Sequence, residues 1–201
     1  TRNTNLFNWS GGVWNMVFVG VDNPPNGVWP GNPYTVVDQT PKVREKPFLH
    51  IDDDGAYHVF LPAWRENSAG NSWDTGEAPG VLIPINDFYV AHEDQDDAAS
   101  INEALGKGKH LLFTPGKYQL DSAITVSNPG TIVLGLGYPS LIPQNGDPAM
   151  VISDVDDVTV AGVSFDAGQT NSPTLLMIGE EGSDGDHSGA PTLLSDVFCR
   201  V

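Results

Sequence analysis

The chain has 201 residues, with 9 lysines and arginines against 26 aspartates and glutamates, which gives a net charge of -17. This length is enough to bury one substantial core. The negative charge argues against nucleic acid, anionic membranes and polyanionic sugars as partners, because each would be repelled. A neutral ligand fits better, and no apolar run approaches the roughly 18 residues of a membrane span.

The composition is typical of an extracellular β-protein, with 22 glycines, 16 prolines and only 17% charged residues. The triplet Asn8-Trp9-Ser10 is a glycosylation sequon, so we predict a secreted glycoprotein modified at Asn8. The chain starts at Thr1 and its last residues, "LLSDVFCRV", read as a strand cut short. We therefore expect the remaining part of the same protein to follow residue 201 and to hold any disulfide partner of Cys199.

The first 80 residues are predicted to be a β-rich segment from the end of a preceding β-structure. Asp53-Asp54-Gly55 is a strong hairpin signal, and the polar, glycine-rich stretch 65–80 predicts a loop. Residues 81–95 are predicted to be a connector. The predicted strands are two within Asn5–Val21, separated at Gly11-Gly12, and one each at Tyr34–Val37, Pro47–Ile51 and Tyr57–Leu61.

The stretch "DDAASINEALGKGKHLLFTPGKYQL", residues 96–120, predicts a short helix that leads into two strands. Asp96 or Asp97 can N-cap this helix and Gly106 can end it. A helix this short is not stable alone, so its apolar face must rest on another element. The predicted apolar face consists of Ala98, Ile101, Ala104 and Leu105.

Two pairs of strand-like stretches recur at an offset of 26 positions, which predicts a solenoid of short strands. "TIVLGLG" at 131–137 aligns with "VTVAGVSF" at 158–165, and "AMVIS" at 149–153 aligns with "LLMIG" at 175–179. An open solenoid end exposes unpaired strand edges, so we expect the helix to be its cap and "TLLSDVFCRV" to begin the next coil after an insertion. Alternation predicts one face with Ile132, Leu134, Val158 and Val160, and the other with Thr131, Val133 and Thr159.

The run "DDAASINEAL…LLFTPGKYQL…ITV…TIVLGLG" resembles the opening of a right-handed parallel β-helix of the pectate-lyase superfamily. In that fold an acidic, alanine-rich helix precedes a "(L/F)-x-P-G-x-Y" strand turn. With a β-rich lobe ahead of it, the chain is similar to glycoside hydrolase family 55, the secreted β-1,3-glucanases. The resemblance implies an all-β fold, with the start of a parallel β-helix over 96–201. No catalytic motif of that family matches residue by residue, so none is carried over.

Glycoside cleavage needs two carboxyl groups, roughly 5–5.5 Å apart for retention or 6.5–9.5 Å for inversion. Outward positions on neighbouring parallel strands stack about 4.8 Å apart, which suits such a pair. If Val163 and Phe165 point inward, Asp166 points outward. We predict catalytic roles for Asp166 and for Glu180 and Asp186, which lie in the insertion "GEEGSDGDHSGAP".

Two other interpretations of the acids in the insertion stay open, namely a solvated loop and a Ca²⁺ site. For the separate acids Asp154, Asp156 and Asp157 we predict a coil corner, where turn chemistry accounts for them. His187, in the same insertion, is predicted to bind substrate. The five histidines have no metal-ligand spacing and no phosphate loop is present, so we expect no metal and no cofactor.

All five tryptophans lie within the first 73 residues. Aromatic rings stack on the apolar faces of sugars, so Trp64 and Trp73, in the polar loop region, are predicted substrate platforms. Trp9 and Trp14 lie in strand-like patterns and are predicted to belong to a core.

These observations leave three hypotheses. The first is a secreted glycoside hydrolase that cleaves a neutral β-glucan by carboxylate acid/base catalysis. The second is a polysaccharide lyase acting on uronates. It is less favoured, because the chain has few basic residues to neutralise the substrate carboxylate. The third is a non-catalytic carbohydrate-binding or adhesion β-solenoid. Glycan linkage, stereochemical outcome and oligomeric state stay open.

Overall fold

The computed structural model describes residues 2–12, 14–73 and 78–201. The chain forms two compact units, one of Thr1–Lys46 and Phe60–Leu82, and one of Pro47–Val59 and Ile83–Val201. The domain boundaries expected from the sequence, at 80 and 95, stay predictions. Within the described ranges, no helix is both long and apolar enough to cross a membrane.

The first unit contains two small pairs of strands. Strands β1 (Met16–Val19) and β2 (Tyr34–Val37) are parallel, and β3 (Thr40–Val43) pairs antiparallel with β6 (Arg65–Ser68). β6 lies within the stretch 65–80 that was predicted to be a loop, so the loop prediction was wrong for Arg65–Ser68. Its polar residues form a strand because β3 supplies a backbone partner along its length.

The prediction of two strands within Asn5–Val21 was also wrong, since β1 is the one strand that the described residues of this range form. Gly11 and Gly12 have φ angles of +84° and +147°, which end the extended path before β1. Upstream of them, the backbone of Asn5 pairs with Asp22 in an isolated bridge and not in a strand.

The hairpin predicted around Asp53-Asp54-Gly55 is present between β4 (Phe48–Ile51) and β5 (Tyr57–Pro62). The backbone N–H of Asp52 donates to Ala56 O at 3.0 Å, and Asp52 Oδ1 accepts from the N–H of Ala56 at 2.8 Å. The chain then continues through β7 (Gly80–Pro84), a 3-10 turn and β8 (Phe88–Ala91).

The predicted helix is confirmed as α1 (Ala98–Gly106), N-capped by Asp97. Asp97 and Ser100 form a reciprocal capping box. All four residues of the predicted apolar face are buried, and the helix packs against β8, β9 and β11. It therefore covers the first coil, as a cap should.

Eleven strands after α1 form three parallel sheets, because each coil contributes one strand to each sheet. The resulting solenoid is a parallel β-helix. The first sheet contains β8 with β9 (His110–Phe113), β12 (Ile132–Gly135), β15 (Thr159–Ala161) and β18 (Leu193–Ser195). The second contains β10 (Lys117–Leu120), β13 (Ser140–Pro143), β16 (Ser164–Asp166) and β19 (Phe198–Arg200). The third contains β11 (Ile124–Val126), β14 (Met150–Ile152) and β17 (Leu176–Ile178).

The sequence offset of 26 holds in the third sheet, where Met150 pairs with Leu176. It was wrong by one residue in the first sheet, where Ile132 pairs with Thr159 and not with Val158. A one-residue slip moves every side chain to the opposite face. Val133 and Val160 consequently share the core face, which corrects the predicted faces.

The core consists of apolar ladders that run along the solenoid. Leu111, Val133 and Val160 stack in the first sheet, each fully buried. Tyr118, Leu141 and Phe165 stack in the second sheet. Burial of such side chains contributes about 1.5–3 kcal/mol each, so the ladders hold neighbouring coils in register.

Candidate functional site

The insertion loop (Gly179–Pro191) folds back onto the corner that follows β14. His187 Nε2 lies 2.7 Å from Asp154 Oδ1, and His187 Nδ1 lies 2.6 Å from Asp156 Oδ1. Hydrogen bonds to both carboxylates raise the pKa of the His187 imidazole above its ordinary value of 6.5. The imidazolium, with an N–H for each carboxylate, is the form that this arrangement favours.

Backbone hydrogen bonds fix both ends of the insertion loop to the solenoid. Gly179 N–H donates to Ile152 O at 2.9 Å, and Asp157 N–H donates to Ala190 O at 2.7 Å. Between them lies a cleft of about 210 Å³, which we call the acidic cleft. It is lined by Ser153, Asp154, Val155, Ile178, Gly179, Glu180, Ser183, His187 and Thr192.

Of the three predicted catalytic acids, Glu180 lines the acidic cleft together with His187. Asp186 lies in the same loop, where its Oδ1 accepts from the N–H of Ser188 at 2.9 Å. That backbone bond lowers the pKa of Asp186 below its ordinary value. The carboxyl of Asp186 is thus ionised at neutral pH, which suits a base and not an acid.

Asp166 ends β16 and forms a bidentate pair with Arg200 of β19. Arg200 Nε lies 2.6 Å from Asp166 Oδ1 and Arg200 Nη2 lies 2.5 Å from Oδ2. Ser164 Oγ also donates to Asp166 at 3.0 Å. The hydrogen bond from Arg200 is the main cause of the lowered pKa of Asp166, so this carboxylate too is ionised at neutral pH.

Sequence reasoning missed Arg200, because the register between β16 and β19 decides which residues of these adjacent coils become neighbours. Asp166 and Arg200 occupy paired positions of β16 and β19. Beside them, a second cleft of about 340 Å³ is lined by Tyr138, Ser164, Phe198, Cys199 and Arg200. The rings of Tyr138 and Phe198 meet edge to face, 5.4 Å between centroids.

Asp154 and Asp156 were assigned to a coil corner from the sequence, and they do lie at one. Their carboxylates also bind His187, a role that no spacing along the chain revealed. Within the described residues, no group of His, Cys, Asp or Glu side chains is arranged to hold a metal ion. Both ring nitrogens of His187 already face carboxylate oxygens, which removes it as a metal ligand in this arrangement.

The predicted aromatic platforms lie in the first unit. Arg44 covers the Trp64 ring at 4.4 Å from its centroid and Lys42 approaches at 5.7 Å, so these cations already pack on Trp64. Trp73 is half exposed. Of the two predicted core tryptophans, Trp9 packs edge to face on Phe18 at 5.3 Å. The prediction for Trp14 was wrong, since 71% of it is exposed.

The fold defines a pectate-lyase-like β-helix protein. Its stacked coils form three parallel sheets, a helix caps the first coil, and acids and an insertion loop lie at the coil corners. The family described as LAM55 pectate lyase-like domain matches residues 88–201. The chain belongs to this family, and the resemblance to glycoside hydrolase family 55 is confirmed.

The relatives cover the whole chain. It is 46% identical over 201 residues to an exo-beta-1,3-glucanase of Streptomyces sp. (strain SirexAA-E / ActE), covering 33% of that protein. It matches the structure of sacteLam55A from Streptomyces sp. SirexAA-E with a TM-score of 0.95, covering 100% of this chain and 36% of that chain. A variant of sacteLam55A in complex with glucose gives the same identity, coverage and TM-score. The chain spans about a third of the length of these relatives.

Proposed function

We propose that the protein containing this chain hydrolyses a neutral β-1,3-glucan. The observation that carries the proposal is the 46% identity over every residue of the chain to a relative named as an exo-beta-1,3-glucanase. A net charge of -17 supports a neutral polymer over a uronate, because a polyanion would be repelled.

The proposed chemistry uses two carboxyl groups. Asp166 and Asp186, both with lowered pKa values, are candidates for the carboxylate that activates water. Glu180, which lines the acidic cleft with His187, is the candidate acid that protonates the leaving oxygen. Trp64, Trp73 and His187 are the proposed substrate contacts.

Secretion belongs to the same proposal, and modification at Asn8 stays a prediction from the sequon. A glucan polymer is encountered outside the cell, and both Asn8 and Ser10 of the sequon are exposed. Assays of culture medium against cell extract, and the intact mass of the native protein, test these two points.

The function is tested by incubating the intact protein with laminarin, with neutral glucans of other linkages and with polygalacturonate. We expect glucose release from the β-1,3-linked polymer alone. Products that absorb in the ultraviolet from polygalacturonate would support the lyase hypothesis instead. Retention on glucan without turnover would support a binding module.

The catalytic candidates are tested separately in that protein, with Glu180→Gln, Asp166→Asn and Asp186→Asn. Loss of an acid/base group lowers kcat by about 10²–10⁴-fold. We expect such a loss for Glu180→Gln with KM within a few-fold. If all three variants keep kcat within about tenfold of wild type, the reaction's acids lie elsewhere and this chain supplies binding surface.

A further inference from the structure

The first unit contains a cleft that none of the candidate catalytic residues lines. It has a volume of about 490 Å³, within the range of small-molecule binding sites. We call it the amide cleft. Its lining residues are Phe7, Asn8, Trp9, Asn23, Pro24, Pro25, Asn26, Asn32 and Tyr34.

The polar lining consists mainly of side-chain amides. Four asparagines contribute, and none of their side chains makes a hydrogen bond to another described residue. Each amide offers one acceptor and two donors, which matches sugar hydroxyls, since those also donate and accept. Among the described lining residues no carboxylate or cation is present, so charged ligands find no partner here.

Aromatic rings in this cleft are already held in position. The indole N–H of Trp9 and the hydroxyl of Tyr34 both donate to Gly11 O at 3.1 Å. The same two rings pack edge to face on the buried Phe18, at 5.3 and 6.0 Å. Rings that are ordered before a ligand arrives lose little entropy on binding.

Local structure explains only part of this lining. Asn23 has a φ of +55°, which asparagine tolerates in a turn. Asn32 packs on Gly27, where an added Cβ would come 2.5 Å from Asn32 Nδ2. Neither reason applies to Asn26, which is exposed, nor to Phe7, of which 97% is exposed at the cleft. An aromatic residue this exposed costs solubility, and a sugar face would cover it.

We propose that the amide cleft is a non-catalytic binding site for a segment of neutral glucan. The absence of a carboxylate among the described lining residues excludes acid/base cleavage at this place. That the glucan is the β-1,3-linked substrate rests on the proposed function. The cleft thus tethers the polymer that the protein hydrolyses.

The test compares the intact wild-type protein with the double variant Phe7→Ala/Asn26→Ala. We expect retention on insoluble β-1,3-glucan to fall at least about fivefold, because one stacking contact and one amide contact are lost. Hydrolysis of laminaritriose is expected to stay within about twofold of wild type, since a short oligosaccharide needs no tether. The matched control is Trp14→Ala/Gln39→Ala, which removes an exposed aromatic ring and an exposed amide outside the cleft.

Unchanged retention of the double variant would overturn the proposal, as would an equal loss in the control. A glycan on Asn8 would fill the cleft with the protein's own sugar, so this inference and the modification predicted from the sequon exclude each other. A glycan detected in the intact mass would therefore overturn the inference. If wild type neither binds nor cleaves β-1,3-glucan, the proposed function fails together with this inference. If wild type cleaves the polymer and the variant binds it equally well, only the amide cleft is refuted.

Discussion

His187 Nε2 lies 2.7 Å from Asp154 Oδ1, although the two residues belong to different coils of the solenoid. Asp156 approaches the other ring nitrogen, so one imidazole joins the insertion loop to the corner after β14. Only 30% of the His187 side chain is exposed. Both Asp154 and His187 line the acidic cleft, so this contact forms part of its wall.

The first prediction is that the insertion loop loosens as pH rises. The folded pKa of His187 lies above 6.5, so its stabilisation is fully present below pH 6.5 and is lost as pH rises through the folded pKa. Asp154 and Asp156 face the imidazole, and Asp186 and Glu180 are further charged groups near it. Hydrogen exchange of Gly179–Pro191, corrected for intrinsic rates, should show more protection at pH 5.5 than at pH 8.5. The variant His187→Gln should show little pH dependence, and equal behaviour of both proteins would contradict the assignment.

The second prediction concerns Gly185, which lies against the ion pair. An added Cβ would come 2.8 Å from His187 Nε2 and 2.9 Å from Asp154 Oδ2. Because the imidazole is the nearest group to the added Cβ, Gly185→Ala should displace His187 and lower its pKa towards 6.5, as read from its NMR titration. Gly189→Ala is the matched control, since a Cβ there meets nothing within 4 Å. A wild-type titration curve in Gly185→Ala would refute the contact.

The third prediction is that Asp166 and Arg200 are energetically coupled. Their side chains are 20% and 66% exposed, so solvent screens the pair. A double-mutant cycle with Asp166→Asn and Arg200→Gln should give a small favourable coupling in the free energy of unfolding. The folded pKa of Asp166 is lowered, so this stabilisation is present above its ordinary value of 3.8 and is lost as pH falls through the folded pKa. A coupling that does not weaken as the pH is lowered below 3.8 would contradict this origin.

The fourth prediction concerns the exposed edge of the third sheet. Asn102 of α1 donates to Ala123 O at 2.9 Å and accepts from the N–H of Thr125 at 2.8 Å. Its amide therefore pairs with the backbone next to and within β11 as a neighbouring strand would. Asn102→Ala should lower the free energy of unfolding by about 2 kcal/mol in denaturant titrations, because two backbone groups lose their partner.

The neighbouring exposed residue provides the control for that measurement. Glu103 pairs with Lys107 on the helix surface, at 2.6 Å, and solvent-screened surface pairs of this type contribute little to stability. Glu103→Ala should therefore change stability far less than Asn102→Ala. Equal losses in the two variants would contradict the edge contact, because alanine is the better helix former at both positions.

The sequence by itself determined those features that depend on neighbours along the chain. Asp97 caps α1 because a side chain can reach the N–H three residues later, and the four-residue apolar face follows from the helical period. The hairpin at Asp53-Asp54-Gly55 depends on turn chemistry alone. The solenoid was predictable because its repeat places similar apolar stretches in successive coils.

Only the tertiary structure decided what depends on register between coils. Ile132 pairs with Thr159 and not with Val158. Because β12 and β15 are buried and mostly apolar on both faces, alternation along them does not reveal a slip of one residue. The register between β16 and β19 places Arg200 beside Asp166, and the fold of the insertion loop brings His187 to Asp154. β6 likewise forms from polar residues because β3 lies beside it. Contacts between distant segments are set by how the coils stack, which local chemistry does not specify.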